Sequence, residues 1–175
     1  MKRLDNIFLI GPSGAGKSTI GRALAARLEQ DFFDSDAEIE KRAGTSISWI
    51  FDVEGEPGMR AREVKAIEDL TKRNHIVLAT GGGSVLMPEN REVLASRGVV
   101  FYISVSLDQQ QKRTERNLGH RPLLRVADPR AKLIEMQQER EPLYQSIADF
   151  TIHTEDYSIA GVVQKIVELI ESCKH

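Results

Sequence analysis

Eight consecutive residues, Gly11-Pro12-Ser13-Gly14-Ala15-Gly16-Lys17-Ser18, concentrate the chemistry of this chain. They match G-x-x-x-x-G-K-[ST] and stand between an apolar tetrad and a stretch with helical spacing of apolar residues. A strand, a glycine-rich turn and a helix start in that order form a cradle for anions. Gly14 and Gly16 let main-chain N–H groups converge on phosphate oxygens. The helix that follows adds the positive end of its dipole. Lys17 is placed to bridge β- and γ-phosphates, and the Ser18 hydroxyl suits Mg²⁺. A bare turn between strand and helix would not require this lysine and serine at these offsets. The expected ligand is a nucleoside triphosphate, with Gly14, Ala15, Gly16, Lys17, Ser18 and Thr19 around its phosphates.

Two further clusters lie where strands are expected to end. Asp34-Ser35-Asp36 puts two carboxylates two residues apart, a spacing that can aim both at one cavity. The same residues also suit helix capping, by Ser35 or Asp36, of a segment at 37–42. Thr80-Gly81-Gly82-Gly83-Ser84 allows the backbone to come very close to a ligand, though a simple turn needs fewer glycines. A GTPase would need N-K-x-D, and Thr71-Lys72-Arg73-Asn74 lacks the aspartate; Asp52-Val53-Glu54-Gly55 matches only D-x-x-G. No hydrophobic strand ends in the D-E pair of a motor or transporter ATPase. A small-molecule kinase remains.

These clusters need a scaffold, and the rest of the chain spells one. Short apolar runs at 6–10, 75–79, 99–104 and 149–152, with a shorter one at 31–34, alternate with amphipathic stretches. Helices are expected over 17–30, 57–73, 89–97, 108–117, 130–147 and 158–173. Ile20, Leu24 and Leu28 share one face of the first, and Val64, Ile67 and Leu70 one face of the second. Pro57 and Pro88 open their helices, and Gly98 closes the third. Strand–helix alternation implies parallel strands with right-handed crossovers and helices on both faces, with ligands beyond the carboxyl ends of the strands. Residues 118–129 carry glycine and two prolines without helical period, as a mobile loop over a site or an ordinary surface connection would.

At 175 residues the chain has the length of one domain, taken here as 1–175. A hydrophobic share of 41% and a charged share of 29% exclude wholesale disorder. The net charge of −2 argues against a generally basic nucleic-acid binder. Apolar runs are too short for a membrane span or signal peptide, and the single Cys173 has no partner for an internal disulfide. A cytoplasmic location is expected. The four histidines show no metal-ligand spacing. Trp49, with Ile50 and Phe51, is expected in the core, with the wall of a site as the alternative.

Six motifs in order resemble one family, the shikimate kinases of the P-loop, nucleoside-monophosphate-kinase-like group. They are GPSGAGKST, DSDAEIEKR from Asp34, IFDVEGEPGMRAREVKAI from Ile50, LATGGGSV from Leu78, RPLL from Arg121 and EREPLY from Glu139. The likeness runs from about Ile7 to Ile170. It implies a three-layer α/β/α fold around a five-stranded parallel sheet, with a lid at about 118–129. The implied reaction moves the γ-phosphoryl of ATP to the 3-hydroxyl of shikimate, in aromatic amino-acid biosynthesis, with Mg²⁺ as cofactor. Asp34 then helps hold Mg²⁺ through water, beside Ser18. Asp36 binds the acceptor hydroxyls and takes the attacking hydroxyl's proton. Arg60 and Arg140 bind the acceptor carboxylate from two sides, Gly82 contacts the substrate through its backbone, and Arg121 reaches the ATP phosphates from the lid. Lys17, Asp36 and Arg121 form the catalytic set. A monomer without nucleic-acid or membrane partners is implied as well.

On residue type alone each arginine has a plainer reading. Arg60 and Arg62 begin a strongly charged helix, and Arg140 sits between Glu139 and Glu141, as a solvated ion-pair set would. Three features depart from the family pattern. Met59 stands where phenylalanine is usual, the lid is slightly longer and carries His120, and Asp156-Tyr157-Ser158 gives no match to an adenine-contacting segment.

Overall fold

In the computed structural model, residues 2–116 and 121–175 are described. Residues 118–120 of the expected lid, with the departure at His120, lie outside them, as does Asn117 at the end of an expected helix. Strands β1 (Ile7–Ile10), β2 (Asp31–Asp34), β3 (Ile76–Ala79), β4 (Val99–Ser104) and β5 (Phe150–His153) form one parallel sheet in the order β2-β3-β1-β4-β5. All four pairings are parallel. The helices are α1 (Lys17–Leu28), α2 (Ser35–Ala43), α3 (Ile47–Leu70), α4 (Pro88–Arg97), α5 (Leu107–Glu115), α6 (Pro129–Ile147) and α7 (Ile159–Cys173).

The central strand shows why the sheet has a layer on each side. Successive side chains of a strand point to opposite faces. Ile7 and Leu9 enter one core with Ile20 and Leu24 of α1 and Val162 and Ile166 of α7. Phe8 and Ile10 enter the other, with Ile67 and Leu70 of α3, Leu94 of α4 and Tyr144 of α6. Neither face of β1 meets water, which is why its sequence is continuously apolar rather than alternating. A satellite core of Ile39, Ile50, Met59 and Ala66 joins α2 to α3.

The strand order brings the chemistry together. β3 lies between β2 and β1, with Ala79 opposite Asp34 on one side and Leu9 on the other. The loops that leave these three strands are the glycine-rich turn at 11–16, the exit at Asp34 and the turn at 80–83. They therefore stand side by side at one sheet edge, where open α/β sheets bind ligands.

Several expectations change in detail. Asp34 caps α2, accepting from the N–H groups of Asp36 (2.9 Å) and Ala37 (3.1 Å). Neither Ser35 nor Asp36 does, because the helix starts two residues before the expected segment. The helix expected to begin at Pro57 is the second part of α3, whose axis breaks at Gly55 (φ 74°, ψ 178°). That break removes the carbonyl against which the proline ring would otherwise clash. Trp49 is 51% exposed rather than in the core. It sits in the first turn of α3, capped by Ser46, where only Ile50 of the apolar trio faces fully inward. Within the unpatterned segment, Pro122–Leu124 forms a short 3₁₀ turn with Leu124 buried, and helix α6 has begun by Pro129. No helix among the described residues is long and apolar enough to cross a membrane.

Phe8 is fully buried at the centre of the sheet. Phe8→Ala is expected to cost about 3–5 kcal/mol in guanidinium unfolding of the ligand-free protein. A loss below about 1 kcal/mol would contradict this account of the core.

Candidate active site

The turn after β1 is built by backbone geometry. Gly14 (φ 84°) and Gly16 (φ 91°) take left-handed conformations, and Gly16 is the N-cap of α1. Lys17 is buried, and its ammonium donates to the carbonyls of Gly11 (2.6 Å) and Pro12 (2.8 Å) across the turn. Burial pulls its pKa down to about 8, opposed by the nearby carboxylates of Asp36 and Asp34. At the foot of the turn the Ser18 hydroxyl donates a very short bond to Asp34 Oδ2. Asp34 Oδ1 is committed to the α2 cap. A hydroxyl and one available carboxylate oxygen form a small, hard oxygen set. Such a set fits Mg²⁺ that keeps most of its ligands from water and phosphate. Among the described residues no cluster of three or more His, Cys, Asp or Glu forms a full protein cage.

Asp36 leaves the first turn of α2 and meets Glu63 across Gly81. A methyl group on Gly81 would stand 2.7 Å from Asp36 Oδ1 and 2.9 Å from Glu63 Oε2, so any side chain there would displace these carboxylates. Ser35, fully buried, accepts from the Gly81 N–H (3.0 Å) and holds the turn in place. Gly83 is equally constrained, since a methyl there would lie 2.3 Å from a guanidinium nitrogen of Arg60. The consecutive glycines are thus explained by three approaches: to the carboxylates at Gly81, to the Ser13 N–H at Gly82 and to Arg60 at Gly83. Burial raises the Asp36 pKa to about 7, with Glu63 and Asp34 adding to the rise and Lys17 and Arg60 opposing it. Burial likewise raises that of Glu63, against the pull of Arg60.

Arg60 is only 8% exposed, bonded to Glu63 at 2.9 Å and reaching Glu56 at 3.3 Å. Arg140 is 5% exposed and forms no ion pair among the described residues; Glu141 bonds instead to the Tyr102 hydroxyl. The solvated reading of both arginines is therefore excluded, whereas Arg62 does form an exposed pair with Glu54. Buried polar atoms without partners among the described residues gather here: Glu63 Oε2, Arg121 Nε and Arg140 Nε. Unsatisfied buried groups are costly, and their concentration marks where a polar ligand completes the bonding.

Two cavities meet at this point. One, of about 600 Å³ including its open mouth, is lined by Asp36, Arg60, Glu63, Gly81–Gly83, Arg121 and Arg140 on its polar side. Ile47, Phe51, Met59, Leu123, Leu124 and Met136 form its apolar side. The other is a wide groove lined by Gly14, Gly16, Lys17, Ser18, Thr19, Asp34 and the cations Arg22, Arg113, Arg116 and Arg121. Ser13, Asp36, Gly81, Gly82 and Arg121 line both. Ala15 is buried beneath the turn, and Tyr157 is exposed and lines neither cavity.

Two site residues escape sequence reasoning. Glu63 follows Arg60 by three positions, so both fall on one face of α3; that spacing was the available signal. Arg113 donates to the Gly14 carbonyl at 2.9 Å from 99 residues away, and nothing in the charged run around it sets it apart.

A five-stranded parallel sheet with a phosphate-binding turn after its central strand defines a small P-loop kinase. The chain belongs to the shikimate kinase family, whose model matches residues 13–171. It is 55% identical over 172 residues to the shikimate kinase of Buchnera aphidicola, covering 98% of this chain and 99% of the relative. It is 53% identical to that of Vibrio parahaemolyticus, covering 98% and 99%. Among solved structures, the Acinetobacter baumannii shikimate kinase in complex with shikimate superposes with a TM-score of 0.94 at 47% identity. That match covers 97% of this chain and 94% of the other. The Aquifex aeolicus enzyme superposes at 0.80 and 31% identity, covering 97% and 98%.

The electrostatics of Asp36 give a stability test. Its carboxyl has a pKa of about 7 in the fold against 3.8 when unfolded. Between those values the folded state holds the extra proton, so stability falls as pH rises. Without ligand and with a chelator present, Asp36→Asn is expected to raise the melting temperature by about 5 °C at pH 8. The gain should shrink steadily towards pH 5. A gain independent of pH, or a loss at pH 8, would contradict the charge assignment.

Proposed function

We propose that the chain transfers the γ-phosphoryl group of ATP to the 3-hydroxyl of shikimate, giving shikimate 3-phosphate and ADP. The observation that carries this reading is the pair of cavities joined at Asp36, one cationic and phosphate-shaped, the other presenting buried arginines to an anion. Shikimate is a carboxylate on a ring with three hydroxyls. Arg60 and Arg140 offer planar forks to the carboxylate, Asp36 and the backbone around Gly82 face the hydroxyls, and the apolar side receives the ring.

Transfer needs alignment more than covalent chemistry. The acceptor oxygen bonds to the γ-phosphorus while the bond from that phosphorus to the β–γ bridging oxygen breaks. The hydroxyl proton passes to Asp36, whose pKa near 7 suits proton acceptance at neutral pH. Lys17 exchanges its carbonyl partners for phosphate oxygens, and Arg121, on the wall common to both cavities, neutralises charge on the transferred group. Ser18 and Asp34 would hold Mg²⁺, which would supply further neutralisation of the phosphates. Residues 121–129, the described part of the expected lid, close over the site and exclude water as a rival acceptor. The whole chain acts as one domain, as a cytoplasmic monomer in aromatic amino-acid biosynthesis, without a nucleic-acid partner.

ADP release from Mg·ATP, compared across shikimate, gluconate, nucleoside monophosphates and water, tests the reaction. Rapid turnover is expected with shikimate alone. Comparable turnover on gluconate or a nucleotide would overturn the acceptor assignment, and binding of ATP without turnover on any acceptor would overturn the kinase reading. Arg121→Ala is expected to lower kcat by about 100-fold. An unchanged kcat would remove Arg121 from the mechanism.

A further inference from the structure

Tyr144 has no part in the reaction just described, yet it is tied to both sides of the acceptor cavity. Its side chain is almost wholly buried, and its hydroxyl donates to the Gly82 carbonyl at 2.5 Å. Arg140, one helical turn earlier on the same face of α6, lines with Tyr144 a small cavity beside the acceptor site. The tyrosine ring stacks on Tyr102 of β4 with centroids 4.9 Å apart, and the Tyr102 hydroxyl is bonded to Glu141. One hydrogen bond thus ties the stretch of α6 that carries Arg140 to the glycine turn after β3.

We infer that Tyr144 is a positioning residue that sets acceptor affinity by holding Arg140 and the Gly82–Gly83 peptide in one fixed relation. The peptide unit is planar and trans, so its C=O and N–H point in opposite directions. Pinning the Gly82 carbonyl to Tyr144 turns the Gly83 N–H away from α6, and Gly82 and Gly83 line the acceptor cavity while Tyr144 does not. A run of three glycines has little conformational preference of its own. Its orientation comes from partners: Ser35 and the Ser84 N–H at Gly81, the Leu86 N–H at the Gly83 carbonyl, and Tyr144 at the Gly82 carbonyl, the one bond to the run from α6. The helical position of Arg140 is fixed by the same contact, since residues four apart rotate together. The phosphate turn keeps its own supports in Lys17 and Arg113, so nucleotide binding does not depend on this hydroxyl.

The inference rests on the acceptor assignment above, and wild-type turnover on shikimate is measured first so that the two can fail separately. Tyr144→Phe keeps the ring and its stacking while removing the hydroxyl. Tyr102→Phe serves as control, because it removes a neighbouring buried hydroxyl without touching the glycine turn. Titration of shikimate, followed by calorimetry or by the single, half-exposed Trp49, gives the affinity, and circular dichroism reports folding. Tyr144→Phe is expected to weaken shikimate binding and raise its KM about tenfold, with the KM for ATP within twofold, the size of effect one lost hydrogen bond produces. Tyr102→Phe should leave shikimate affinity within twofold. Equal shifts for both ligands, equal effects of the two variants, or no effect of Tyr144→Phe would each overturn the positioning role.

Discussion

The protein buries charges that do not cancel until ligands arrive. Lys17, Arg60 and Arg140 are nearly inaccessible, Arg121 is partly so, and Asp36 and Glu63 both crowd the space beside Gly81. Among the described residues only Arg60 and Glu63 form a close buried pair. The lysine is driven towards neutrality and both carboxyls towards protonation, each chiefly by loss of water. Such an arrangement is costly for the empty protein and favourable for one holding a polyphosphate and a carboxylic acid. The stability given up by the empty site is recovered as binding energy at the reacting groups.

What makes this crowding possible is a rigid parallel sheet whose adjacent strands end level with one another. Loops from β1, β2 and β3 are held within hydrogen-bond reach by strand pairing, and side chains lock them: buried Ser35 to Gly81, buried Asn90 to the Ser84 carbonyl, and half-buried Arg113 to Gly14. Glycine appears wherever two functional groups meet with no room for a Cβ. The order β2-β3-β1 therefore matters to function as directly as any side chain, because it sets donor and acceptor cavities on either side of one shared wall.

Much of this was legible in the chain. The phosphate turn carries its own context, and continuously apolar strands separated by amphipathic stretches specify a parallel sheet covered on both faces. Asp34, Asp36 and the glycine run could be placed at strand exits from local pattern alone. The arginines could not: a buried Arg140 between two glutamates looks identical in sequence to a solvated ion-pair set, and resemblance alone singled it out. Trp49 misled because size and apolarity suggest burial, while its position in the first turn of a capped helix leaves it half exposed. Arg113 was missed because its role comes from a contact made by the tertiary fold, which no local period encodes, and Glu63 because its spacing from Arg60 is the same for a buried pair as for a solvated one.

The most direct test of the account is a crystal structure with shikimate and a non-hydrolysable ATP analogue. The account predicts the shikimate carboxylate between Arg60 and Arg140, its 3-hydroxyl within about 3 Å of an Asp36 oxygen, and the Arg121 guanidinium on the γ-phosphate. A shikimate carboxylate placed away from both arginines, or a 3-hydroxyl turned from Asp36 with the nucleotide bound, would contradict it.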